Sequence, residues 1–268
     1  MEKRVSVETV QQNGITMDCC RFGHGNEVFV ILPGLSVQSV TALADAVAEA
    51  YQVLADLFTV YLFDRRKNLP EEYSVHDMAE DTAKVLRALK LDQINLFGAS
   101  QGGMIAMEIA IHHPELFKKL ILGSTSSHVT DGQYRLFEGW IQLAESGDAE
   151  GLYLAFGEAL YPQEAFEQAR GLLTEAAKTV TEEDLRRFII LARGLKDFNI
   201  TEDLEKIVCP VLLIGSEDDR VLGAEASRII AERLDGRPGF RFHLYDGYGH
   251  AAYDTAPDYK NRIVSFLC

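Results

Sequence analysis

Long hydrophobic runs are missing from this 268-residue chain. No stretch approaches the roughly eighteen uninterrupted apolar residues that a membrane-crossing helix needs, so no membrane span is expected. The first residues, Met1 to Glu8, lack the apolar core of a secretory signal and already alternate like a strand, which predicts a cytoplasmic protein. Cysteine is scarce: Cys19, Cys20, Cys209 and Cys268 are the only four. Their spacing matches neither a zinc site nor a redox pair, and adjacent Cys19 and Cys20 should face opposite sides of a strand. All four are expected to be small core hydrophobes. Positive charge is short as well, with 26 Lys and Arg against 41 Asp and Glu and a formal charge of −15. Nucleic acid and anionic lipid both call for clustered positive charge, so neither is expected as a partner. The chain has no His-Glu-x-x-His and no phosphate-binding loop, and no metal or organic cofactor is expected. Internal repeats and low-complexity tracts are also absent.

What remains is the composition of a soluble globular protein, 47% apolar and 25% charged. Arg4 to Thr9 and Thr16 to Arg21 alternate as an antiparallel pair around the turn residues Asn13-Gly14. Glu27 to Leu32 and Phe58 to Phe63 are near-continuous apolar runs, as strands covered on both faces are. Helical periodicity separates them from about Val40 to Leu57, and a polar loop is expected from Asp64 to Pro70. Ser74 reads as the cap of a helix that runs to Lys90. A strand from Asp92 to Phe97, a helix from Gln101 to His113 and a strand from Lys119 to Gly123 follow. Strands separated by helices require crossover connections and therefore a mostly parallel sheet. From Ser127 to Lys206 the chain reads as wholly helical, rich in carboxylates, with no strand-like run. Alternation then resumes with Val211 to Ile214, a helix from Ala224 to Leu234, a strand from Phe240 to Tyr245 and a helix from Pro257 to Phe266. Residues 127–206 are accordingly expected as a helical cap inserted into one α/β core made of residues 1–126 and 207–268.

One serine is crowded by small residues where a strand gives way to a helix, in Gly98-Ala99-Ser100-Gln101-Gly102. A strand followed at once by a helix forces a sharp turn. Side chains two before and two after its apex would collide, and glycine occupies both places. The turn lifts the Ser100 hydroxyl clear of the sheet, near free N–H groups that favour a developing negative charge. A hydroxyl is a poor nucleophile until a base takes its proton. Of the seven histidines, His112 and His113 end a helix, His24 and His76 fall in loops, His128 opens the helical block and His243 lies inside a strand. His250 differs, because it sits in a glycine-flanked loop, Gly247-Tyr248-Gly249-His250, directly after a strand. Loops at the carboxyl ends of parallel strands are where such sheets keep their chemistry. The loop after Val211 to Ile214 supplies carboxylates, Glu217, Asp218 and Asp219, to orient that imidazole.

In this order of serine, acid and histidine the chain resembles the α/β-hydrolase fold superfamily, specifically its helical-cap serine hydrolases of carboxylesterase and lipase type. The resemblance spans nearly the whole chain. Leu32-Pro33-Gly34-Leu35 resembles the oxyanion loop, with proline where histidine is common. Phe63-Asp64-Arg65-Arg66 resembles the Asp-x-Arg after another core strand, without the glycines that usually follow. Counting three residues on from Gly215 selects Asp218 as the acid. Matching the stretch along its full length selects Asp219, which is followed by Arg-Val-Leu, and Asp219 is preferred. The resemblance implies backbone N–H groups of Leu35 and Gln101 as the oxyanion hole, while Ser36 is expected to cap the next helix.

The expected reaction is hydrolysis of a small, mostly uncharged carboxylic ester through an acyl-enzyme, with Ser100, His250 and Asp219 as triad and no cofactor. The expected partner is a small-molecule substrate, and the oligomeric state is left open. A proline-iminopeptidase-like amidase, a lactonase, a carbon–carbon bond hydrolase and a perhydrolase share these parts. A serine at the elbow disfavours dehalogenases, which by family resemblance carry aspartate there. From another class, a non-catalytic small-molecule receptor keeps the fold without turnover. The cap should shape the substrate pocket, and its aromatic residues are expected mainly as packing.

Overall fold

The computed structural model describes residues 5–268. Eight strands form one sheet: β1 (Ser6–Gln12), β2 (Ile15–Gly23), β3 (Glu27–Leu32), β4 (Phe58–Arg66), β5 (Ile94–Ala99), β6 (Phe117–Gly123), β7 (Val211–Ser216) and β8 (Arg241–Tyr245). Their order across the sheet is β1-β2-β4-β3-β5-β6-β7-β8. The β1–β2 and β2–β4 pairs are antiparallel, and every other pair is parallel. This is the mostly parallel α/β sheet that the strand–helix alternation predicts. Arg4, the expected start of the first strand, lies outside the described residues.

The interior strands carry apolar side chains on both faces, and alternation sorts them into two cores. Val30 and Leu32 of β3 point to one, Phe29 and Ile31 to the other. Val211 and Leu213 of β7 part from Leu212 and Ile214 in the same way. The first core is closed by α3 (Val75–Ala88), α4 (Gln101–His112) and α9 (Ala224–Leu234). The second is closed by α1 (Ala44–Ala50), α2 (Gln52–Ala55), α10 (Ala252–Thr255) and α11 (Tyr259–Leu267). Each fully buried Leu, Ile or Phe in these layers contributes about 1.5–3 kcal/mol by leaving water. Ser74 caps α3 with a reciprocal capping box to Asp77, as its position predicts.

Between β6 and β7 lie α5 (Asp131–Glu145), α6 (Ala149–Leu160), α7 (Gln163–Ala177) and α8 (Glu182–Arg193). The block is not wholly helical. An isolated antiparallel bridge joins His128 to Asn199, flanked by Val129 N–H to Phe198 O at 2.9 Å and Ile200 N–H to Ser127 O at 2.8 Å. This two-stranded neck brings the chain back beside its point of departure, so the block returns to the sheet where it left. Such pairing joins residues far apart in sequence and leaves no local pattern.

Other local expectations change for identifiable reasons. The Val40–Leu57 helix breaks at Tyr51, whose ring is buried against Phe97. Ser39, not Ser36, caps the first helical turn there, accepting from Thr41 N–H. Asp64, Arg65 and Arg66, expected in a loop, extend β4, because Arg66 pairs with Met17 of β2 and the charged side chains find buried partners. His76 lies in the first turn of α3 and not in a loop.

Cys19 and Cys20 are buried and fall in opposite cores, as adjacent strand residues must. Cys209 is partly buried, but Cys268 is exposed, contrary to the expectation of four core thiols. Burial pushes the Cys19 thiol up to about 12 and the Cys20 thiol up to about 11, with nearby acidic groups adding to the shift. Thiolate, not thiol, is the reactive species. The native protein should therefore give one fast-reacting thiol with a disulfide reagent at about pH 8, and all four only in denaturant. Rapid labelling of Cys19 or Cys20 in the native state, read by peptide mass, contradicts this core assignment.

Candidate active site

Three connections deliver the site to one rim of the sheet. The first is the turn from β5 into α4. Its apex, Ser100, has φ 52° and ψ −121°, a left-handed backbone that a non-glycine residue adopts only under constraint. The constraint is contact on both sides. A Cβ on Gly98 would lie 2.4 Å from the Gly102 carbonyl oxygen, and one on Gly102 would lie 2.1 Å from the Leu32 oxygen. The strained turn is pinned by Ser100 N–H to Gly123 O at 2.8 Å and by the Thr125 hydroxyl to Ser100 O at 2.7 Å.

The second and third connections are the loops after β7 and β8, and two neighbouring carboxylates join them. Asp218 accepts from the Ser216 hydroxyl at 2.7 Å, from Gly247 N–H at 3.1 Å and from Gly249 N–H at 3.0 Å. Asp219 accepts Val221 N–H at 2.8 Å and Leu222 N–H at 2.9 Å on one oxygen. Its other oxygen lies 2.8 Å from His250 Nδ1. Both partners are almost fully buried, at 2% and 4% side-chain exposure for His250 and Asp219. Burial alone would raise the Asp219 pKa. The His250 ring and the amides of Leu222 and Val221 outweigh it and hold the carboxyl below its ordinary value. Of the two acids, Asp219 touches the imidazole while Asp218 grips the backbone of the loop that carries it.

Ser100 and His250 face one small cavity, which Gly34, Leu35 and Gln101 also line. No hydrogen bond joins the Ser100 hydroxyl to the ring among the described residues. Nor do Leu35 and Gln101 donate their backbone N–H groups to any described residue. The cavity measures about 20 Å³, room for about one water. Its roof is apolar: Phe137 and Trp140 of α5, Phe156 and Leu160 of α6, and Leu195. The Phe137 and Trp140 rings pack tilted at 5.5 Å, and the Trp140 and Phe156 rings meet edge-on at 4.7 Å. These three aromatic residues line the cavity, whereas Tyr134, Tyr153, Tyr161, Phe166 and Phe188 do not. A larger depression of about 460 Å³ opens beside Asp64, Arg65 and Arg187, but Ser100 is not in its walls.

Two side chains near the site escaped the sequence reading. Gln101, expected only for its N–H, is buried and donates its side-chain amide to Leu191 O of α8 at 2.8 Å. Arg65 donates to Pro33 O at 2.7 Å and to Gln101 Oε1 at 3.3 Å, so one guanidinium holds both the Pro33–Leu35 loop and the elbow. Desolvation draws the Arg65 pKa down to about 10. The Asp-x-Arg resemblance points to Asp64 and Arg66, and nothing in two consecutive arginines after an apolar strand says that Arg65 turns inward.

A sequence profile described as alpha/beta hydrolase fold matches residues 28–257. A protein named carbamate hydrolase RutD from Caulobacter sp. (strain K31) is 30% identical over 237 residues, covering 82% of this chain and 84% of that protein. Among solved structures, MGS-M2, an alpha/beta hydrolase enzyme from a Medee basin deep-sea metagenome library, superposes with a TM-score of 0.85 at 20% identity, covering 97% of both chains. The enol-lactonase from Burkholderia xenovorans LB400 superposes with a TM-score of 0.82 at 18% identity, covering 97% of this chain and 99% of that one. Among the described residues, no helix is long and apolar enough to cross a membrane.

The depressed Asp219 pKa has a signed consequence for stability. Its contribution is fully present above the unfolded value of about 3.9 and is lost as pH falls through the lower folded value. The difference in urea midpoint between the unaltered protein and Asp219→Asn should be larger at about pH 5 than at about pH 3, where the Asp219 contribution is lost. A gap that stays constant through the acid range contradicts the pairing.

Proposed function

The chain belongs to the α/β-hydrolase family, and from that premise we propose that it hydrolyses a small, uncharged carboxylic ester through an acyl-enzyme on a Ser100–His250–Asp219 triad. The observation that carries the proposal is the buried Asp219–His250 pair opening onto the same cavity as the strained elbow serine. Residues 127–206 act in this reading as a helical cap over the core.

The chemistry follows from the positions. With Nδ1 committed to Asp219, the ring offers Nε2 to the Ser100 hydroxyl, which must come within about 2.6–3.2 Å for transfer in the substrate complex. Ser100 Oγ attacks the carbonyl carbon while Nε2 takes its proton, and Asp219 stabilises the imidazolium. The carbonyl oxygen becomes an oxyanion, met by the N–H groups of Leu35 and Gln101, both free of described partners. The proton passes to the leaving alkoxide, which departs as alcohol. Water, deprotonated by His250, then attacks the acyl carbon, and the acid leaves as Ser100 regains its proton.

The roof supports the choice of substrate. Phe137, Trp140, Phe156, Leu160 and Leu195 present no charge to an acyl group, and burying an unpaired charge there would be costly. Because the roof must open to admit any ester, chains that displace it least, the short ones, are favoured. A second reading, a small neutral carbamate, is supported by the relative at 30% identity that bears that name. It uses the same attack on a carbonyl carbon and differs in the leaving group.

A fluorophosphonate should leave one covalent adduct, on Ser100, and none on Ser100→Ala. A folded, unlabelled protein would favour a receptor without turnover. Asp219→Asn should lower kcat about 10³–10⁴-fold by freeing the wrong tautomer. Asp218→Asn should cost less, and the reverse ranking reassigns the acid. Among p-nitrophenyl esters, acetate and butyrate should exceed octanoate in kcat/KM. Faster turnover of an aryl carbamate than of the matched acetate would select the second reading.

A further inference from the structure

Away from the elbow, α4 ends in a cluster that the proposed hydrolysis does not use. Glu108 and His112 are four residues apart and therefore share one face of α4. His76, from the first turn of α3, meets them across the seam between the two helices. The Glu108 carboxylate is 7% exposed, and its Oε2 lies 3.2 Å from both His76 Nδ1 and His112 Nε2. The imidazoles stand edge to face, 5.2 Å apart at 83°. All three donor atoms lie within 4.8 Å of one another.

We propose that His76, Glu108 and His112 form a binding site for a divalent transition-metal ion of the zinc class, linking α3 to α4. A tetrahedral ion with bonds of about 2.0–2.1 Å needs donors about 3.3 Å apart. Two of the three separations are already 3.2 Å. The rings are about half exposed, 53% for His76 and 46% for His112, so a small rotation closes the third separation at little cost and leaves a fourth position to water. Glu108 has no Lys or Arg partner among the described residues. A nearly buried carboxylate gains most from a cation placed directly on it. Two imidazoles and one carboxylate select zinc, copper or nickel over magnesium or calcium, which prefer all-oxygen shells. The neighbouring His113 is engaged elsewhere, with Nε2 2.6 Å from Glu80 and Nδ1 2.9 Å from Arg87, and is not a ligand.

The site is remote from the chemistry. His112 closes α4 and Ser100 precedes its first residue, which at 1.5 Å per residue puts them about 18 Å apart along the helix. The ion's role is to fasten α3 to the helix whose other end carries the elbow. Binding only the folded chain, it stabilises by mass action.

Tag-free protein, stripped with chelator and dialysed, should bind one equivalent of zinc from zinc chloride in a calorimetric titration near pH 7.5, with a micromolar Kd. About 100-fold excess over Kd should raise Tm by several degrees, while magnesium chloride should not. His76→Ala and His112→Ala should each weaken zinc binding at least tenfold, with circular dichroism and short-ester hydrolysis unchanged. His113→Ala should bind as the unaltered protein does. No uptake at 100 μM zinc overturns the site. So does uptake that survives both His76→Ala and His112→Ala, or that falls equally in His113→Ala.

Discussion

Two adjacent carboxylates at the end of β7 do different work, and the arrangement of the site depends on the division. Asp218 spends both oxygens on the Gly247 and Gly249 amides, which fixes the path of the loop after β8. Asp219 is then left one residue further on, with one oxygen satisfied by the Val221 and Leu222 amides and the other aimed at His250 Nδ1. A flexible loop would have to order its histidine at each encounter, and the entropy of doing so would oppose the reaction. Here the loop is held by charge-assisted hydrogen bonds before any substrate arrives.

The elbow is held by the opposite means, absence of side chains. Gly98 and Gly102 allow backbones to touch, and that contact sustains the unfavourable φ of Ser100. The strain is local and is offset by a sheet whose interior strands are buried on both faces. Strain of this kind persists only where surrounding packing over-determines it.

The helical block is tied to the same point. The Gln101 side chain reaches Leu191, Arg187 of α8 bonds Asp64 at 2.5 Å and Ser36 O at 3.1 Å, and Ala251 N–H, next to His250, donates to Leu160 O at 3.0 Å. Residues that flank the proposed nucleophile and base therefore also hold the roof. The cavity they enclose fits about one water, so a substrate as large as the proposed ester would have to open the roof. The seam between α3 and α4 is independent of these contacts, and a metal ion there would bear on stability and not on the roof.

Local periodicity and the size of side chains near a bend were enough to read the sheet, its mostly parallel sense and the strand-to-helix turn at Ser100. The sequence also singled out His250 and the acidic turn, since both follow apolar strands directly. Between the chemically identical Asp218 and Asp219 the sequence offered a preference for Asp219, and only the folded chain shows what each meets, Asp219 the His250 ring and Asp218 the amides of the β8 loop. Tertiary structure alone extended β4 through Asp64, Arg65 and Arg66, whose charges read as solvent-exposed until Pro33, Gln101 and Arg187 supply buried partners. The His128–Asn199 neck, the apolar roof and the meeting of His76 with Glu108 and His112 were illegible for the same reason. Each joins residues separated by tens of positions, and a pattern of neighbours in sequence carries no record of neighbours in space.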